Sequence, residues 1–146
     1  MQTMIQSFDD LTTYQLHTIY QARTDVFVVE QQCAYPEVDA TDLIAYHVSI
    51  KDEQDELCAY CRLYPGLQGE TWHIGRVLVR QQNRGHGLAS QLLADGIAWL
   101  KSQQQVNQIE LDAQVYLVPF YQRIGFKLVG QPFDDYGIQH QHMRLQ

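Results

Sequence analysis

The sequence predicts a mixed α/β fold, and three observations lead to this prediction. The chain has 146 residues, an ordinary size for one domain, and neither a repeat nor a low-complexity linker divides it. Apolar residues make up 45% of it and charged residues 18%, a composition that favours a packed core over disorder. Segments with helical periodicity alternate with strand-like segments in the order βα, three β, then αβαββ. We therefore expect a single domain over residues 1–146.

The first half of the chain is predicted to contain four strands and one helix. Residues 4–8 (MIQSF) form the opening strand. The helix begins at Thr12, a suitable N-cap whose capping-box partner is Gln15, and continues at helical spacing as far as Phe27. A proline and several acidic residues make 31–42 a loop. Alternating patterns between polar turns predict three further strands, 46–51, 57–64 and 71–80.

The second half of the chain is predicted to contain two helices and three strands. Residues 83–90 (NRGHGLAS) join a strand to a helix over 88–100 that carries leucine and isoleucine at helical spacing. A strand over 109–115 follows, and then a short helix that Gly125 ends. The last two predicted strands are 127–133 and 137–145.

Three cysteines, Cys33, Cys58 and Cys61, raise the question of a metal site. The last two have the CxxC spacing of many zinc ligands. They lie, however, in a predicted strand, where residues three apart point to opposite faces, and only one further cysteine exists. We expect free thiols and no bound metal.

Charge and hydropathy limit the classes of partner. The net charge of −7 disfavours nucleic-acid binding, which usually needs a basic face, and suits a cationic partner. No segment approaches the ~20 apolar residues of a membrane span, and the N-terminus lacks the basic start and apolar run of a signal peptide. We therefore expect a cytoplasmic protein that binds neither nucleic acid nor membrane, while edge strands leave a homodimer open.

The glycines within 83–90 predict a site for an anion. A helix N-terminus presents N–H groups without intrahelical partners, and glycines let a phosphate approach them closely. The segment lacks the Gly-Lys-Ser/Thr ending of a P-loop, and Ser90 stands where a dinucleotide fingerprint needs its third glycine. On the residues alone, a turn that receives a phosphate-bearing cofactor and a turn without any ligand both remain open.

The same segment resembles motif A of the GNAT superfamily of N-acetyltransferases, whose signature is Arg/Gln-x-x-Gly-x-Gly/Ala. Arg84, Gly87 and Ala89 match this signature, with Gly85 as the common extra glycine. A second register that starts at Gln82 also fits. The first register is preferred because it puts the preceding V-x-V pair at its usual distance.

A second motif supports the resemblance. The segment FYQRIGF resembles the downstream motif of the family, in which a tyrosine precedes Gly-Phe, and Tyr121, Gly125 and Phe126 occupy those positions. Further segments, among them AYHV, CRLYPG and GIQHQHM, extend the similarity to the ElaA-like branch over nearly the whole chain. The sequence is therefore identified as a member of that branch.

The resemblance implies a GNAT fold, a twisted mixed sheet of about seven strands that splays between its fourth and fifth strands, with about four helices. Acetyl-CoA would lie in the gap, with its pyrophosphate on the backbone of the glycine-containing turn. Val77 and Val79 would offer main-chain hydrogen bonds to the pantetheine arm. Gln114 stands where many members carry an asparagine. The turn residues with this implied role are Arg84, Gly85, His86, Gly87, Leu88 and Ala89.

The resemblance also implies direct attack of an amine on the thioester. The Val77 N–H would stabilise the oxyanion, and the Tyr121 hydroxyl would protonate the departing sulfur, although periodicity alone favours a core role for Tyr121. His73 stands where some members carry a glutamate that relays the proton of the amine through water, and a neutral imidazole is a suitable acceptor. Packing within the strand is the alternative for His73. His47 and His140 are further candidates.

Acidic residues after the first helix predict where the acceptor amine binds. This part of a GNAT fold usually forms one wall of the acceptor site, and carboxylates there would attract an ammonium ion. A solvated loop and internal pairs with Arg23 and Arg76 are the alternatives. The predicted acceptor-site residues are Glu30, Glu37, Asp39, Asp42, His47 and His140.

Together with the resemblance, these residues predict an enzyme that moves an acetyl group from acetyl-CoA to a primary amine of a small molecule or peptide, without a metal. A non-catalytic CoA-binding sensor or scaffold is the alternative. A tyrosine placed as an acid favours the enzyme, because a sensor needs no proton donor.

Overall fold

The computed structural model describes residues 1–146 and contains one sheet of eight strands together with four α-helices. The helices are α1 (Thr13–Arg23), α2 (Thr41–Ile44), α3 (Leu88–Gln103) and α4 (Val118–Ile124). The strands are β1 (Gln2–Ser7), β2 (Tyr46–Lys51), β3 (Leu57–Pro65), β4 (Thr71–Val79), β5 (Gln108–Gln114), β6 (Lys127–Leu128), β7 (Phe133–Asp135) and β8 (Ile138–Leu145).

The sheet is open at its centre. Its strand order is β1-β2-β3-β4-β5-β8-β6, and β7 pairs with β8. Every pair is antiparallel except β4 and β5, which run parallel. These two strands pair only over Thr71–His73 and Gln108–Glu110, and their following residues do not pair with each other. The predicted mixed α/β fold, splayed between its fourth and fifth strands, is confirmed.

Two apolar clusters attach helices to the two faces of the sheet. The larger cluster joins α3 and α4 to the strands, and Leu92, Leu93 and Leu100 of α3 are almost fully buried in it. The smaller cluster joins α1, through residues such as Ile19, to Tyr60 of β3. Because side chains alternate between the two faces of a strand, β3 contributes to both clusters. The sheet is thus covered by α3 and α4 on one face and by α1 on the other.

The first helix begins as predicted. Thr12 Oγ1 accepts a hydrogen bond from the Gln15 N–H at 3.0 Å, and Gln15 Oε1 accepts one from the Thr12 N–H at 3.0 Å. This capping box satisfies two N–H groups that the helix start would otherwise leave unpaired. The chain passes from α1 into a π-helical turn over Thr24–Glu30, which extends the helical segment beyond Phe27.

The structure differs from the predicted elements at two places. The short helix α2 starts inside the predicted loop, and its Asp42 side chain is buried against arginines. The predicted strand 127–133 is divided into β6 and β7. Gly130 has a φ of +70° there, and Pro132 lacks the N–H that strand pairing requires.

Two features of the structure concern metal binding and membrane spans. The three cysteines are free and buried, and no group of three or more His, Cys, Asp or Glu side chains is arranged to hold a metal ion. No helix has both the length and the apolar sequence needed to cross a bilayer.

Candidate active site

The separation of β4 from β5 opens a cleft of about 910 Å³. A volume of this size lies in the usual range for small-molecule and cofactor sites. β4, the glycine-containing turn, β5, α4 and the π-helical turn all contribute to its lining. The cleft therefore offers the unpaired edge of β4 to an extended ligand.

β4 carries a β-bulge where it borders the cleft. One residue of β3, Cys61, lies opposite two residues of β4, Arg76 and Val77. Arg76 has a φ of +54°, the left-handed conformation that glycine usually supplies at this type of bulge. The N–H of Val77 belongs to the peptide unit that follows Arg76, so the Arg76 backbone sets its direction.

The turn between β4 and α3 exposes its backbone. Gly85 and Gly87 have φ values of +83° and +76°, which glycine adopts without strain. No heavy atom lies within 4 Å of the position that a Cβ would take at either glycine. Gly87 is the N-cap of the 16-residue helix α3, whose first N–H groups lack intrahelical acceptors. The turn therefore suits a phosphate, which these N–H groups and the helix dipole would attract.

Arg84 links this turn to neighbouring elements. Its Nε donates to the Val79 carbonyl at 2.9 Å, and its Nη2 lies 3.0 Å from Glu30 Oε1 in the π-helical turn. Two predicted ligand contacts, the Val79 carbonyl and the Glu30 carboxylate, are thus both engaged by Arg84.

Tyr121 lies on α4 and lines the cleft from the face of the sheet that carries the larger cluster. The residue is only 4% exposed, and its ring meets Phe120 and Phe126 edge-on. Burial, reinforced by Cys61 and Tyr116 nearby, raises the pKa of Tyr121 well above its usual value. The phenol is therefore protonated at neutral pH, the state from which it can donate a proton.

His73 lies at the vertex of the cleft, because it is the last residue of β4 that pairs with β5. Its ring stacks on Tyr64 with 5.2 Å between centroids and 16° between planes, and both residues line the cleft. Val77 is four residues further along the strand, about 13 Å at the usual rise per residue. A proton would need water to travel between the two.

A hydrogen-bonded group of four residues, which we call the β5–β8 network, borders the other side of the cleft. It consists of Glu110, Asp112, His142 and Arg144. His142 Nδ1 lies 2.7 Å from Asp112 Oδ1, and His142 Nε2 lies 3.0 Å from Glu110 Oε2. Arg144 donates to Glu110 Oε1 from Nε and Nη2, each at 3.1 Å.

Within the β5–β8 network, Asp112 is the member that lines the cleft, and 55% of its side chain is exposed. It lies two residues beyond Glu110, the last residue of β5 that pairs with β4. Burial alone would raise the pKa of Glu110, but the hydrogen bond from Arg144 and the charge of His142 hold it below its usual value. The sequence did not predict this network, because strand pairing joins residues 30 or more positions apart.

Three of the acidic residues after α1 lie in an ion-pair cluster with three arginines. Arg23 is fully buried, with its Nε 2.5 Å from Glu37 Oε1 and its Nη1 2.7 Å from Asp42 Oδ1. We call the following six residues, of which only Asp39 is exposed, the buried ion-pair cluster: Arg23, Glu37, Asp39, Asp42, Arg62 and Arg76.

Arg62 joins the two aspartates of the buried ion-pair cluster. Its Nη1 lies 2.7 Å from Asp39 Oδ1 and 2.9 Å from Asp42 Oδ1. Burial alone would raise the pKa of Asp42, but the hydrogen bonds and charges of Arg23 and Arg62 hold it below its usual value. Burial would also raise the pKa of Asp39, but the hydrogen bond and charge of Arg62, together with the charge of Arg76, lower it.

His47 is buried and does not line the cleft. Its Nδ1 lies 2.6 Å from the Tyr60 hydroxyl and its Nε2 lies 3.0 Å from the Asp42 carbonyl oxygen. Burial lowers the pKa of His47, so the imidazole is neutral near pH 7.

Four of the predicted acceptor-site residues therefore do not line the cleft. A buried guanidinium needs carboxylates around it, and the three arginines use the acidic side chains for that purpose. Glu37, Asp39, Asp42 and His47 thus lie outside the lining of the cleft, and the three acidic residues among them pair with arginines.

The cleft brings together most of the other predicted site residues. Gln114 Nε2 donates to Gln31 Oε1 at 3.0 Å, and both residues belong to the lining. His140 lines the cleft, with its Nδ1 2.9 Å from the Ile138 carbonyl oxygen, whereas His86 is exposed outside it. The predicted residues in the lining are Glu30, His73, Val77, Val79, Arg84, Gly85, Gly87, Leu88, Ala89, Gln114, Tyr121 and His140.

The sequence matches known proteins along most of its length. The family model of the acetyltransferase (GNAT) domain matches residues 15–146. A UPF0039 protein of Schizosaccharomyces pombe is 39% identical over 140 residues, which cover 95% of this chain and 93% of that protein.

Solved structures of similar proteins share the split sheet as a whole. An acyl-CoA N-acyltransferase from Pseudomonas aeruginosa superposes with a TM-score of 0.90 and 33% identity, covering 98% of this chain and 97% of that one. Escherichia coli ElaA superposes with a TM-score of 0.92 and 31% identity, covering 99% of each chain.

Proposed function

Because the chain belongs to the GNAT acetyltransferase family, in its ElaA-like branch, we propose that it moves an acetyl group from acetyl-CoA to a primary amine of a small molecule or peptide. One observation carries the proposal: a single cleft joins the glycine-containing turn, the unpaired edge of β4 and the buried Tyr121. These are the three parts that phosphate binding, alignment of an extended arm and protonation of a leaving thiolate require.

The donor would bind along β4. N–H groups of the turn would hold the pyrophosphate, and backbone groups between Val77 and Val79 would pair with the pantetheine arm as an added strand. The Arg84 side chain would then exchange the Val79 carbonyl and Glu30 for phosphate oxygens, which a guanidinium binds in bidentate fashion. Gln114 on the facing strand has an amide that can bond to the same arm.

The reaction needs few side chains. A neutral amine attacks the thioester carbonyl, and the Val77 N–H stabilises the negative charge that develops on its oxygen. As the C–S bond breaks, the Tyr121 hydroxyl gives its proton to the sulfur.

The acceptor would bind on the opposite face of the sheet from Tyr121. Asp112 offers a half-exposed carboxylate at the cleft, where it would attract an ammonium group before the proton is lost. His73, at the vertex of the cleft, would receive that proton through water. The ammonium ion thus loses one proton before the attack. The nitrogen loses a second proton as the amide forms, and this proton returns through water to the Tyr121 oxygen, which has given its own to the sulfur.

Binding of the donor is tested first. Gly87→Val should abolish most of the acetyl-CoA affinity measured by calorimetry, because a branched side chain would stand where the phosphate binds. Gly130→Val is the matched control, since Gly130 also has a positive φ of +70° and open space around it but lies outside the cleft. Equal acetyl-CoA affinity in the two variants would rule out the turn as the phosphate site.

Turnover then separates an enzyme from a CoA-binding sensor. Acetyl-CoA consumption is measured against a library of primary amines, and the best acceptor is used to compare wild type with Tyr121→Phe. The loss of the hydroxyl should lower kcat by roughly 100-fold and change acetyl-CoA affinity little, because proton transfer belongs to the transition state. Tyr116→Phe, at an exposed tyrosine of the same cleft, should keep wild-type turnover. Donor binding without turnover on any amine would favour the sensor.

A further inference from the structure

The β-bulge of β4 has an unusual residue in its left-handed position. Bulges of this type generally place glycine there, because a Cβ makes the conformation unfavourable. Here an arginine, Arg76, adopts a φ of +54°. Such a conformation persists only when its surroundings hold it in place.

The Arg76 side chain is held on three sides. Its Nε lies 2.8 Å from Glu37 Oε2, and its Nη2 donates to the Glu37 carbonyl oxygen at 3.0 Å. Its Nη2 also lies 3.5 Å from Asp39 Oδ2, and its guanidinium carbon lies 5.3 Å from the centre of the Tyr35 ring. The arginine is therefore restrained by ionic, hydrogen-bonding and cation–π contacts at once.

Glu37 is in turn held by the interior of the protein. Its Oε1 lies 2.5 Å from Nε of the fully buried Arg23, and its carbonyl oxygen accepts from Arg23 Nη2 at 2.8 Å. The Tyr35 hydroxyl donates to its Oε2. Glu37 is 6% exposed and does not line the cleft, so it meets no reactant.

We propose that Glu37 is a positioning residue for acyl transfer. Its contacts with Arg76 hold the Arg76 backbone in the left-handed conformation, and this conformation directs the Val77 N–H toward the thioester oxygen. A continuous set of contacts then runs from the end of α1, through Glu37 and Arg76, to the peptide unit that carries this N–H. The inference rests on the proposed function, since the oxyanion exists only if the chain transfers acyl groups. It gives the acidic segment after α1 a role in catalysis without contact to the acceptor.

The decisive test compares two substitutions at one position. Arg76→Gly and Arg76→Val both remove the guanidinium, but only glycine adopts the left-handed conformation without strain. We expect Arg76→Gly to keep kcat within about threefold of wild type, and Arg76→Val to lose roughly 100-fold, the usual cost of an oxyanion donor. Both should keep a KM for acetyl-CoA close to that of wild type. Equal kcat values in the two variants would overturn the proposal.

The role of Glu37 is tested by a double-mutant cycle. Glu37→Gln should lower kcat at least about tenfold when residue 76 is arginine, and should have no effect on kcat when residue 76 is glycine. An equal loss of kcat in both backgrounds would mean that Glu37 only supports the fold. If Glu37→Gln does not fold, the Arg76 pair alone decides.

A measurement without turnover keeps this inference separate from the proposed function. The residual dipolar coupling of the Val77 N–H reports the orientation of this bond in the free protein. It should stay close to the wild-type value in Arg76→Gly and change in Arg76→Val, and equal couplings in the two variants would contradict the proposal. If wild type acetylates no amine while the couplings behave as expected, the proposed function fails and the restraint on the bulge stands.

Discussion

The buried ion-pair cluster and the β5–β8 network are both rich in carboxylates, yet they differ in their surroundings. In the cluster, Arg23 is fully buried, and the side chains of Glu37 and Asp42 are 5% and 1% exposed. In the network, Asp112 is 55% exposed and its partner His142 is 30% exposed. Asp112 contacts His142 through Oδ1 but remains accessible to a cation in the cleft, whereas Glu37 and Asp42 are enclosed with arginines. Burial and partners, rather than the density of acidic residues along the sequence, separate the two roles.

Removal of a central arginine should affect the two regions very differently. Arg23→Met leaves Glu37 and Asp42 buried beside one fewer cation, and we expect it to lower the free energy of unfolding by about 3–5 kcal/mol. Arg144→Met in the β5–β8 network should cost less than about 1 kcal/mol, because that side chain is 37% exposed. Urea denaturation of both variants measures the difference. Similar losses in the two would erase the distinction between the regions.

Neutralisation of one aspartate in each region should separate binding from stability. Asp112→Asn should raise the KM for a cationic amine roughly tenfold, about 1.4 kcal/mol, with a larger effect at low salt because screening weakens an exposed attraction. Its unfolding free energy should change by no more than about 0.5 kcal/mol. Asp39→Asn, which weakens the contacts of Arg62 and Arg76, should lower stability and leave that KM unchanged. A KM increase in the Asp39 variant alone would indicate that the acceptor binds at the segment after α1 and not at Asp112.

The smallest effect concerns stability in acid. Because the pKa of folded Glu110 is lowered, this carboxylate stabilises the fold above its unfolded pKa of about 4.3, and the contribution is lost as the pH falls through the folded value. Glu110→Gln should therefore reduce the loss of unfolding free energy between pH 7 and pH 3 by less than about 1 kcal/mol. Asp42→Asn should reduce this loss by a larger amount, because the pKa of Asp42 is also lowered and its carboxylate is buried. Thermal unfolding of each variant at pH 7 and pH 3 measures this loss. A larger loss of stability in either variant than in wild type would contradict the prediction.

Local rules of sequence predicted much of this fold. The capping box at Thr12 and Gln15 is a contact between neighbours in the chain, so its spacing alone was enough to find it. The splay of the sheet and the cleft followed from two motifs, around Arg84 and Tyr121, whose order and separation resemble one family. A pattern of that kind carries tertiary information that periodicity does not contain.

The features that the sequence did not predict all depend on distant contacts. Helix α2 has only four residues, and its Asp42 is fixed by Arg23 and Arg62 from other elements. The bulge at Arg76 has no signal, since arginine does not suggest a left-handed backbone. The pairing of Asp112 with His142 has a partial signal, because polar and apolar residues alternate in both ELDAQ and HMR, but the register that joins them is a property of the sheet.

The narrow join between β4 and β5 also governs how the molecule fluctuates. Only three residue pairs connect the half-sheet β1–β4 with the half-sheet β5–β8, whereas longer ladders hold β2 to β3 and β5 to β8. Amide hydrogens of β4 beyond His73 that face the cleft have no strand partner, so we expect them to exchange with solvent faster than those that face β3. An extended arm that pairs there would slow their exchange and tie the two half-sheets together. Hydrogen exchange along β4 therefore reports ligand occupancy of the cleft directly, before any acceptor has been identified.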